Sequence, residues 1–246
     1  MQAELTFPPA LVVTEQTIDI SGFTPRQKAF YQARFWETVG VYQAAGKARV
    51  AIGISGPTGA GKSVVAVLFQ ELARQAGLPF AFAPVTIDAY HFPNHHLLAH
   101  CAEGVPLKQV KGRFDTYDVA SLARDLQAFA AGDRVGFPAY SRKLHDPVPD
   151  YVPVTDPATL LVVEGLWLLY EQAGWEHIRP LLDYCYFIEA DPERTRDGVL
   201  RRHMNGGRTL ADATRHYEAV DGRNSRLVLQ TRQRADKVLP PYYLVV

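Results

Sequence analysis

The sequence is poor in cysteine, has no excess charge of either sign and contains no long hydrophobic run. Its two cysteines, Cys101 and Cys185, argue against a disulfide framework and predict a reducing, cytoplasmic location. Lysine plus arginine and aspartate plus glutamate each number 26, so no basic excess points to nucleic acid or to a membrane surface. No apolar stretch has the length of a membrane span, and the N-terminal residues lack a signal-peptide pattern.

What the chain does have is the composition of an ordinary globular protein, 47% hydrophobic and 21% charged. Strand-like runs at 49–54, 80–87, 159–163 and 184–188 alternate with helix-like segments at 63–75, 119–131, 192–204 and 210–220. This alternation predicts an α/β domain with a parallel sheet covered by helices on both faces.

The predicted domain organisation is an N-terminal extension with one helix, residues 1–48, followed by one α/β domain, residues 49–246. The extension's helix is expected at 25–45, starting after Thr24 and ending at Gly46. Residues 90–111 read as a polar, histidine-rich connection, and 132–153 read as mostly loop because they are rich in proline, aspartate and arginine. A last strand is expected at 237–238 or at 242–246.

The strongest motif is Gly-x-x-x-x-Gly-Lys-Ser, which follows a predicted strand and opens a predicted helix. This is the setting of a phosphate-binding loop, in which glycines let backbone N–H groups converge on phosphate oxygens. The helix N-terminus adds a favourable dipole. Lys62 would reach the β- and γ-phosphates, and Ser63 would bind Mg²⁺. The predicted nucleotide-binding residues of the loop are Gly56, Pro57, Thr58, Gly59, Ala60, Gly61, Lys62 and Ser63.

Two carboxylates stand at the ends of predicted strands. Strand C-termini of an open parallel sheet face the ligand crevice, so Asp88 is a candidate for the base that accepts or orients a hydroxyl proton. The plainer alternative for Asp88 is a turn cap. Glu164 ends an apolar strand and is a candidate Mg²⁺ ligand, directly or through water; its alternative is an ordinary surface carboxylate.

A run of arginines follows the fourth predicted strand. It precedes Asn205-Gly206-Gly207, a turn that suits the hinge of a lid over ATP phosphates at about 194–210. Within this lid, Arg201 is the first candidate for offsetting charge during phosphoryl transfer, and Arg202 is a candidate nucleotide-binding residue. Without the phosphate loop, a solvated helix face would be the preferred interpretation of these charges.

Four stretches together resemble the P-loop kinases of the uridine kinase, phosphoribulokinase and bacterial pantothenate kinase group, over about 50–240. They are the loop at 56–63, Asp88-Ala89-Tyr90-His91-Phe92, the segment 111–118 (Lys-Gly-Arg-Phe-Asp-Thr-Tyr-Asp), and the segment 138–146 followed by Val163-Glu164-Gly165. The segments 200–207 and 221–224 resemble a bacterial subgroup labelled fructose-transport-system kinase or nucleoside/nucleotide kinase. The resemblance implies a three-layer α/β/α P-loop nucleoside triphosphate hydrolase fold, ATP with Mg²⁺, and compatibility with a homodimer.

The resemblance also implies an acceptor site. Tyr140 and His145 match, with the same spacing, positions that contact the acceptor in uridine kinases, and Arg142 matches an acceptor-contacting group of pantothenate kinases. Gly112 stands where uridine kinases have an aspartate for the ribose hydroxyls, and Phe114 replaces a proline of pantothenate kinases. The acceptor site is therefore expected to copy neither relative. The acceptor-binding residues that the resemblance implies are Asp88, Tyr90, His91, Lys111, Tyr140, Arg142 and His145.

The predicted function is an ATP-dependent kinase that phosphorylates a hydroxyl of a pantothenate-, nucleoside- or sugar-like metabolite, with no nucleic-acid or membrane partner. Two alternatives stay open: an ATP-binding regulator, and an ATPase that directs water at the phosphate. The histidines His91, His95, His96 and His100 raise the question of a zinc site. Pro93 interrupts any helix there and the ligand set is incomplete, so an acceptor-binding or exposed loop is the preferred interpretation.

Overall fold

The computed structural model describes residues 5–241, apart from the side chains of 149–151. It begins with a hairpin of strands β1 (Ala10–Val13) and β2 (Gln16–Asp19), followed by helix α1 (Pro25–Ala44). Thr24 caps α1, because its side chain accepts a hydrogen bond from the Gln27 N–H at 3.2 Å. The predicted helix is confirmed, whereas the hairpin was not predicted because each of its strands has only four residues.

The other elements follow in chain order. They are β3 (Arg49–Ser55), α2 (Lys62–Ala76), β4 (Ala81–Thr86), α3 (Asn94–Ala99), β5 (Cys101–Ala102), β6 (Val105–Pro106), α4 (Val119–Ala131), β7 (Val135–Ser141), β8 (Asp146–Val154), β9 (Thr159–Glu164), β10 (Tyr184–Ile188), α5 (Pro192–Asn205), α6 (Leu210–His216), α7 (Gly222–Leu229) and β11 (Lys237–Leu239).

Five strands form a parallel sheet in the order β4-β9-β3-β10-β11. Strand β3 lies at the centre, and all seven of its residues are buried, as expected for a strand covered on both faces. Ile52 packs in one apolar core with residues of α1 and α2, and Ala51 packs in a second core with residues of α4. These layers confirm the predicted α/β/α architecture.

The N-terminal extension shares the first of these cores. Tyr31, Phe35 and Val39 of α1 are buried in the same cluster as Phe69 of α2, and the rings of Phe35 and Phe69 meet edge to face at 5.9 Å. The domain boundary at residue 48 stays a prediction. None of the helices within residues 5–241 combines the length and the apolar character that a membrane span needs.

The segment 132–153 was predicted to be mostly loop, and this was wrong. Strands β7 and β8 pair antiparallel from Val135↔Val154 to Ser141↔Asp146, with a register shift between Pro138 and Ala139. Prolines at 138, 147, 149 and 153 favoured the loop interpretation. In a two-stranded ribbon, however, the outer edges need no N–H donors, so proline is tolerated there.

Other differences concern segments that flank the site. The predicted helix at 210–220 ends at His216, where a π-helical turn (Tyr217–Asp221) leads into α7, a helix that was not predicted. The 90–111 connection contains α3 and the small β5–β6 pair. The predicted last strand at 237–238 is confirmed as β11, and the alternative at 242–246 lies outside the described residues.

Candidate functional site

The phosphate-binding loop connects β3 to α2, as the sequence predicted. Gly56 and Gly59 have φ values of 148° and 81°, in the region that favours glycine. A Cβ at Gly56 would stand 2.5 Å from the Ile188 carbonyl oxygen, and one at Gly59 would stand 2.9 Å from the Thr195 side chain. The glycines are therefore required both by backbone conformation and by the close approach of β10 and α5.

Lys62 is buried at the start of α2 and has the environment of a phosphate ligand. Its ammonium group donates to the carbonyl oxygens of Gly56 and Pro57, both at 2.9 Å. Burial lowers the pKa of Lys62 to about 8, against the opposing effect of the Glu164 carboxylate. The ammonium group hydrogen-bonds neutral carbonyls, and the nearby carboxylates do not offset the effect of its burial, so a nucleotide phosphate fits this position.

Ser63, in the first turn of α2, lies next to Glu164, the last residue of β9. Because β3 and β9 are parallel and adjacent, the end of β9 meets the beginning of α2, and the Ser63 hydroxyl donates to Glu164 Oε1 at 2.9 Å. Burial, together with the nearby Asp88 carboxylate, raises the pKa of Glu164. The Ser63 hydroxyl and the buried Glu164 carboxylate offer two oxygen ligands side by side, and oxygen ligands are those that Mg²⁺ prefers.

Asp88 lies in a short 3-10 turn (Ile87–Tyr90) directly after β4. Its Oδ2 atom is 3.4 Å from Arg142 Nη2, on β7–β8. Burial alone would raise the pKa of Asp88, but the charges of Arg142, Arg202 and Lys62 hold it below its ordinary value. Asp88 is therefore ionised and able to accept a proton.

A cavity of about 370 Å³ joins these groups. Most of the side chains that the sequence singled out line it, so the structure brings the predicted phosphate, metal and acceptor residues together. Those residues are Thr58, Lys62, Ser63, Asp88, His91, Lys111, Tyr140, Arg142, His145, Glu164 and Arg202.

Three of the residues predicted to bind the acceptor, His91, Tyr140 and His145, line the cavity. The His91 ring stacks on Tyr117 at 3.8 Å, and its Nδ1 atom is 3.1 Å from the Thr116 carbonyl oxygen. Burial lowers the pKa of His91 to about 4, so it offers a neutral hydrogen-bonding group. His145 Nε2 lies 3.4 Å from the Gly206 carbonyl oxygen, which joins the β7–β8 hairpin to the end of α5.

Tyr90 was predicted to line the acceptor pocket, and the structure does not support this. Its hydroxyl donates to Asp125 Oδ2 of α4 at 2.8 Å, and Tyr90 lines a separate cleft with Asp118 and Asp125. In a turn, neighbouring residues point in different directions, so proximity to Asp88 in sequence did not ensure proximity to the cavity.

The Tyr90→Phe variant is expected to lose stability and keep its affinity for substrates. Removal of the hydroxyl leaves the half-buried Asp125 without this hydrogen bond, which costs about 1 kcal/mol and corresponds to a Tm lower by roughly 2–4 °C for a chain of this size. Thermal unfolding measures the expected loss of stability, and steady-state kinetics measures the affinity for substrates. An unchanged Tm with a KM several times higher would return Tyr90 to the acceptor site.

The two arginines of α5 differ in exposure and in the cavities that they line. Arg201, which the sequence ranked first, is exposed and lines a neighbouring cleft beside Gly59 and Gly61. Arg202 lines the main cavity, and its charge acts on both Lys62 and Asp88. The neighbouring cleft is also lined by Arg202, Lys62 and Ser63, so both arginines lie close to the phosphate-binding loop and the ranking of the two stays a prediction.

A polar cluster that the sequence did not indicate lies behind Arg202. The ligand atoms of His203, His216 and Asp221 lie within 4.8 Å of one another, and His203 Nε2 is 2.8 Å from Asp221 Oδ2. Burial, with Asp221 opposing it and Arg208 adding to it, lowers the pKa of His216 to about 4. Because the surroundings are positively charged, we interpret this cluster as a set of hydrogen bonds that links α5 to the π-helical turn, and not as a cation site.

The histidines considered for zinc do not form such a group within the described part of the chain. His96 and His100 stack on each other at 4.0 Å, and His100 Nδ1 contacts the His96 carbonyl oxygen at 2.8 Å. His91 faces the cavity instead. These contacts agree with the interpretation of 90–111 as a connecting segment.

Several residues that shape the cavity were missed. Gln16 of β2 lines it, and neighbouring Glu15 accepts hydrogen bonds from the Ser141 hydroxyl at 3.1 Å and from the Lys143 N–H at 3.0 Å. Asn224 of α7 donates to the Gly112 carbonyl oxygen at 3.0 Å. The resemblance of 221–224 to a kinase subgroup could have pointed to Asn224. Nothing in the sequence indicated that the N-terminal hairpin lies next to the cavity.

Comparison with known proteins agrees with this geometry. The model of the Phosphoribulokinase / Uridine kinase family matches residues 51–243. The chain is 33% identical to the uncharacterized protein YggC of Escherichia coli (strain K12), over 78% of this chain and 77% of YggC. It is 27% identical to a uridine kinase of Clostridium perfringens (strain 13 / Type A), over 79% and 88%. A crystal structure from Silicibacter sp. TM1040, provisionally assigned as a fructose transport system kinase, superimposes with a TM-score of 0.74 at 22% identity, covering 85% of this chain and 98% of that one. The chain belongs to the phosphoribulokinase / uridine kinase family.

Proposed function

We propose that the protein is an ATP-dependent kinase that transfers a phosphoryl group to a hydroxyl of a small metabolite. The observation that carries the proposal is the position of Asp88, an ionised carboxylate in the same cavity as the phosphate-binding loop. An ATP-binding regulator needs no such base, and an ATPase needs no acceptor pocket beside it.

The nucleotide end consists of residues 56–63 with Glu164 and Arg202. Backbone N–H groups of the loop and the Lys62 ammonium bind the phosphates, and Ser63 with Glu164 would hold Mg²⁺. When bound, Mg²⁺ neutralises charge on the phosphate oxygens. Arg202 offsets the charge that spreads over the transferred group.

The acceptor end consists of Asp88 with Arg142, Tyr140, His91 and His145. Asp88 accepts the hydroxyl proton while the acceptor oxygen bonds to the γ-phosphorus and the bond to the ADP oxygen breaks. Arg142, 3.4 Å from Asp88, keeps that carboxylate ionised and oriented. The contact between His145 and Gly206 closes the cavity between the hairpin and α5, which limits access of water to the phosphate.

An acceptor screen tests the proposal. ADP release and transfer of labelled γ-phosphate are measured with pantothenate, uridine, fructose, D-glycerate and ribulose 5-phosphate, and without any acceptor. We expect ADP release that depends on an acceptor and is matched by label in the product. If ADP is released at the same rate with and without an acceptor, the protein is the ATPase. If it binds ATP but releases no ADP under any condition, it is the regulator.

A further inference from the structure

The charges that line the cavity are unbalanced. Among the described residues, six cationic side chains face three carboxylates there: Lys62, Lys108, Lys111, Arg142, Arg202 and Arg208 against Asp88, Glu164 and Asp221. The proposed function accounts for Lys62, Arg142 and Arg202, which face phosphate or hold Asp88. Lys108, Lys111 and Arg208 have no role in it, and they lie on the acceptor side.

Lys108 and Lys111 form one group. Both are carried by the loop before α4, three residues apart along a single 3-10 turn (Leu107–Val110) and its end. Both ammonium groups donate to Asn94 Oδ1. Lys111 also donates to the His145 carbonyl oxygen at 2.6 Å and lies 5.5 Å above the Tyr140 ring. Asn94 therefore holds two positive charges side by side at the acceptor hairpin.

The neighbouring side chains do not fully neutralise the charges of Lys108 and Lys111. Asp146 contacts the pair, with its Oδ1 atom 3.7 Å from Lys111 Nζ, but it also accepts the Asn94 N–H at 2.8 Å. The charge of Arg208 acts on Lys108 and on His145, so a third cation lies close by. The Lys111 side chain is only 10% exposed, so water does little to offset the repulsion between the two ammonium groups. Burial, with the charge of Lys108 adding to it, lowers the pKa of Lys111 to about 8.

We propose that the acceptor is an anion, and that Lys108 and Lys111 bind its carboxylate or phosphate group while its hydroxyl faces Asp88. This inference rests on the proposed function, and it narrows the acceptor from metabolites in general to those with a negative group. Each lysine has three donor protons, so the pair can bind two oxygens of one anionic group and keep its bond to Asn94. Arg208, which follows α5 and lines the same cavity, adds a third positive charge.

The same groups would be unfavourable for a neutral acceptor. A nucleoside or an unphosphorylated sugar would displace water from around the two ammonium groups without supplying a counter-charge. Charged groups that a ligand leaves unpaired weaken its binding more than the loss of an apolar contact does, so they discriminate strongly against the wrong ligand. The lysine pair is therefore a determinant of specificity in addition to affinity.

Matched pairs of acceptors test the proposal, because each pair shares its hydroxyls and differs in charge. The pairs are D-glycerate with glycerol, pantothenate with pantothenol, and ribulose 5-phosphate with ribulose. We expect the anionic member of at least one pair to have a kcat/KM about 100-fold or more above its neutral partner. Preference for the first two pairs would identify a carboxylate, and preference for the third a phosphate.

Substitution of the lysines links that preference to this site. Lys111→Met and Lys108→Met are each expected to raise the KM for the anionic acceptor roughly tenfold to a hundredfold, with the KM for ATP unchanged. Lys143→Met is the matched control, because Lys143 is exposed on the turn between β7 and β8. Calorimetric titration of the anionic acceptor into each variant, with a non-hydrolysable ATP analogue present, gives a binding readout that is independent of turnover.

The outcomes separate the two proposals. Turnover of neutral members at rates equal to the anionic ones would overturn the anionic acceptor and leave the kinase intact. An anionic preference that survives both lysine substitutions would overturn the assignment to this pair. If nothing in the panel binds or accepts phosphate while ATP is hydrolysed at the same rate without it, the kinase proposal fails and the anionic acceptor fails with it.

Discussion

The Asp88→Asn variant is expected to transfer phosphoryl groups about 10²-fold more slowly or worse, with little change in its dissociation constant for ATP. Asparagine has the size of aspartate, and its amide oxygen can still accept the contact from Arg142 that Asp88 Oδ2 now makes at 3.4 Å. It cannot take up a proton at neutral pH. The loss should therefore fall on kcat, because the base acts in the transition state.

Asp118→Asn is the matched control for this variant. Asp118 caps α4 by accepting the Ser121 N–H at 3.0 Å, and asparagine is an equally good cap, so its activity should stay near that of the wild type. Single-turnover transfer of labelled phosphate measures the chemical step, and calorimetry measures ATP binding. Near wild-type transfer by Asp88→Asn would remove Asp88 from the role of base.

The second large effect concerns the neighbouring arginines of α5. Arg202→Gln is expected to lower kcat about 10³-fold, because an arginine that stabilises the transferring phosphate contributes at least that much in related chemistry. Arg201→Gln removes the same charge one residue earlier in the chain. Since Arg201 is exposed, whereas Arg202 is half-buried and its charge acts on Asp88, the loss of Arg201 is expected to cost less than about tenfold, mainly in the KM for ATP.

Comparison of the two variants tests which of the two arginines contributes more to phosphoryl transfer. A larger loss for Arg201→Gln than for Arg202→Gln would support the sequence-based ranking. Arg202 is in the field of Asp221 as well as Asp88, so thermal unfolding of both variants is needed to separate an effect on transfer from an effect on folding. Equal Tm values with unequal kcat values would assign the difference to the reaction.

The sequence predicted the central fold well because its signals were local. The buried run of β3, the glycine loop and the first turn of α2 are adjacent in the chain, and each constrains the next. Two hairpins outside the central sheet were harder to predict. The β1–β2 and β7–β8 hairpins are short or rich in proline, and what stabilises them is contact with distant residues, such as that between Glu15 and Ser141. No local pattern contains that information.

The same division applies to the site. Lys62 and Ser63 were identified from the phosphate-binding loop motif, and Asp88 and Glu164 because strand ends of a parallel sheet meet at one edge. The orientation of a side chain in a turn cannot be read from the sequence, which is why Tyr90 was predicted to line the acceptor pocket. Lys108 was overlooked because its importance depends on Asn94, fourteen residues earlier, which holds it next to Lys111.

The strand order β4-β9-β3-β10-β11 also has a consequence for synthesis of the chain on the ribosome. Strand β3 is complete at residue 55, yet its two neighbours end at residues 164 and 188. More than a hundred residues must therefore emerge before this apolar strand gains any partner in the sheet. During that interval its unpaired edges are open to aggregation, so elongation speed and chaperone capture during this stretch should limit the yield of folded protein.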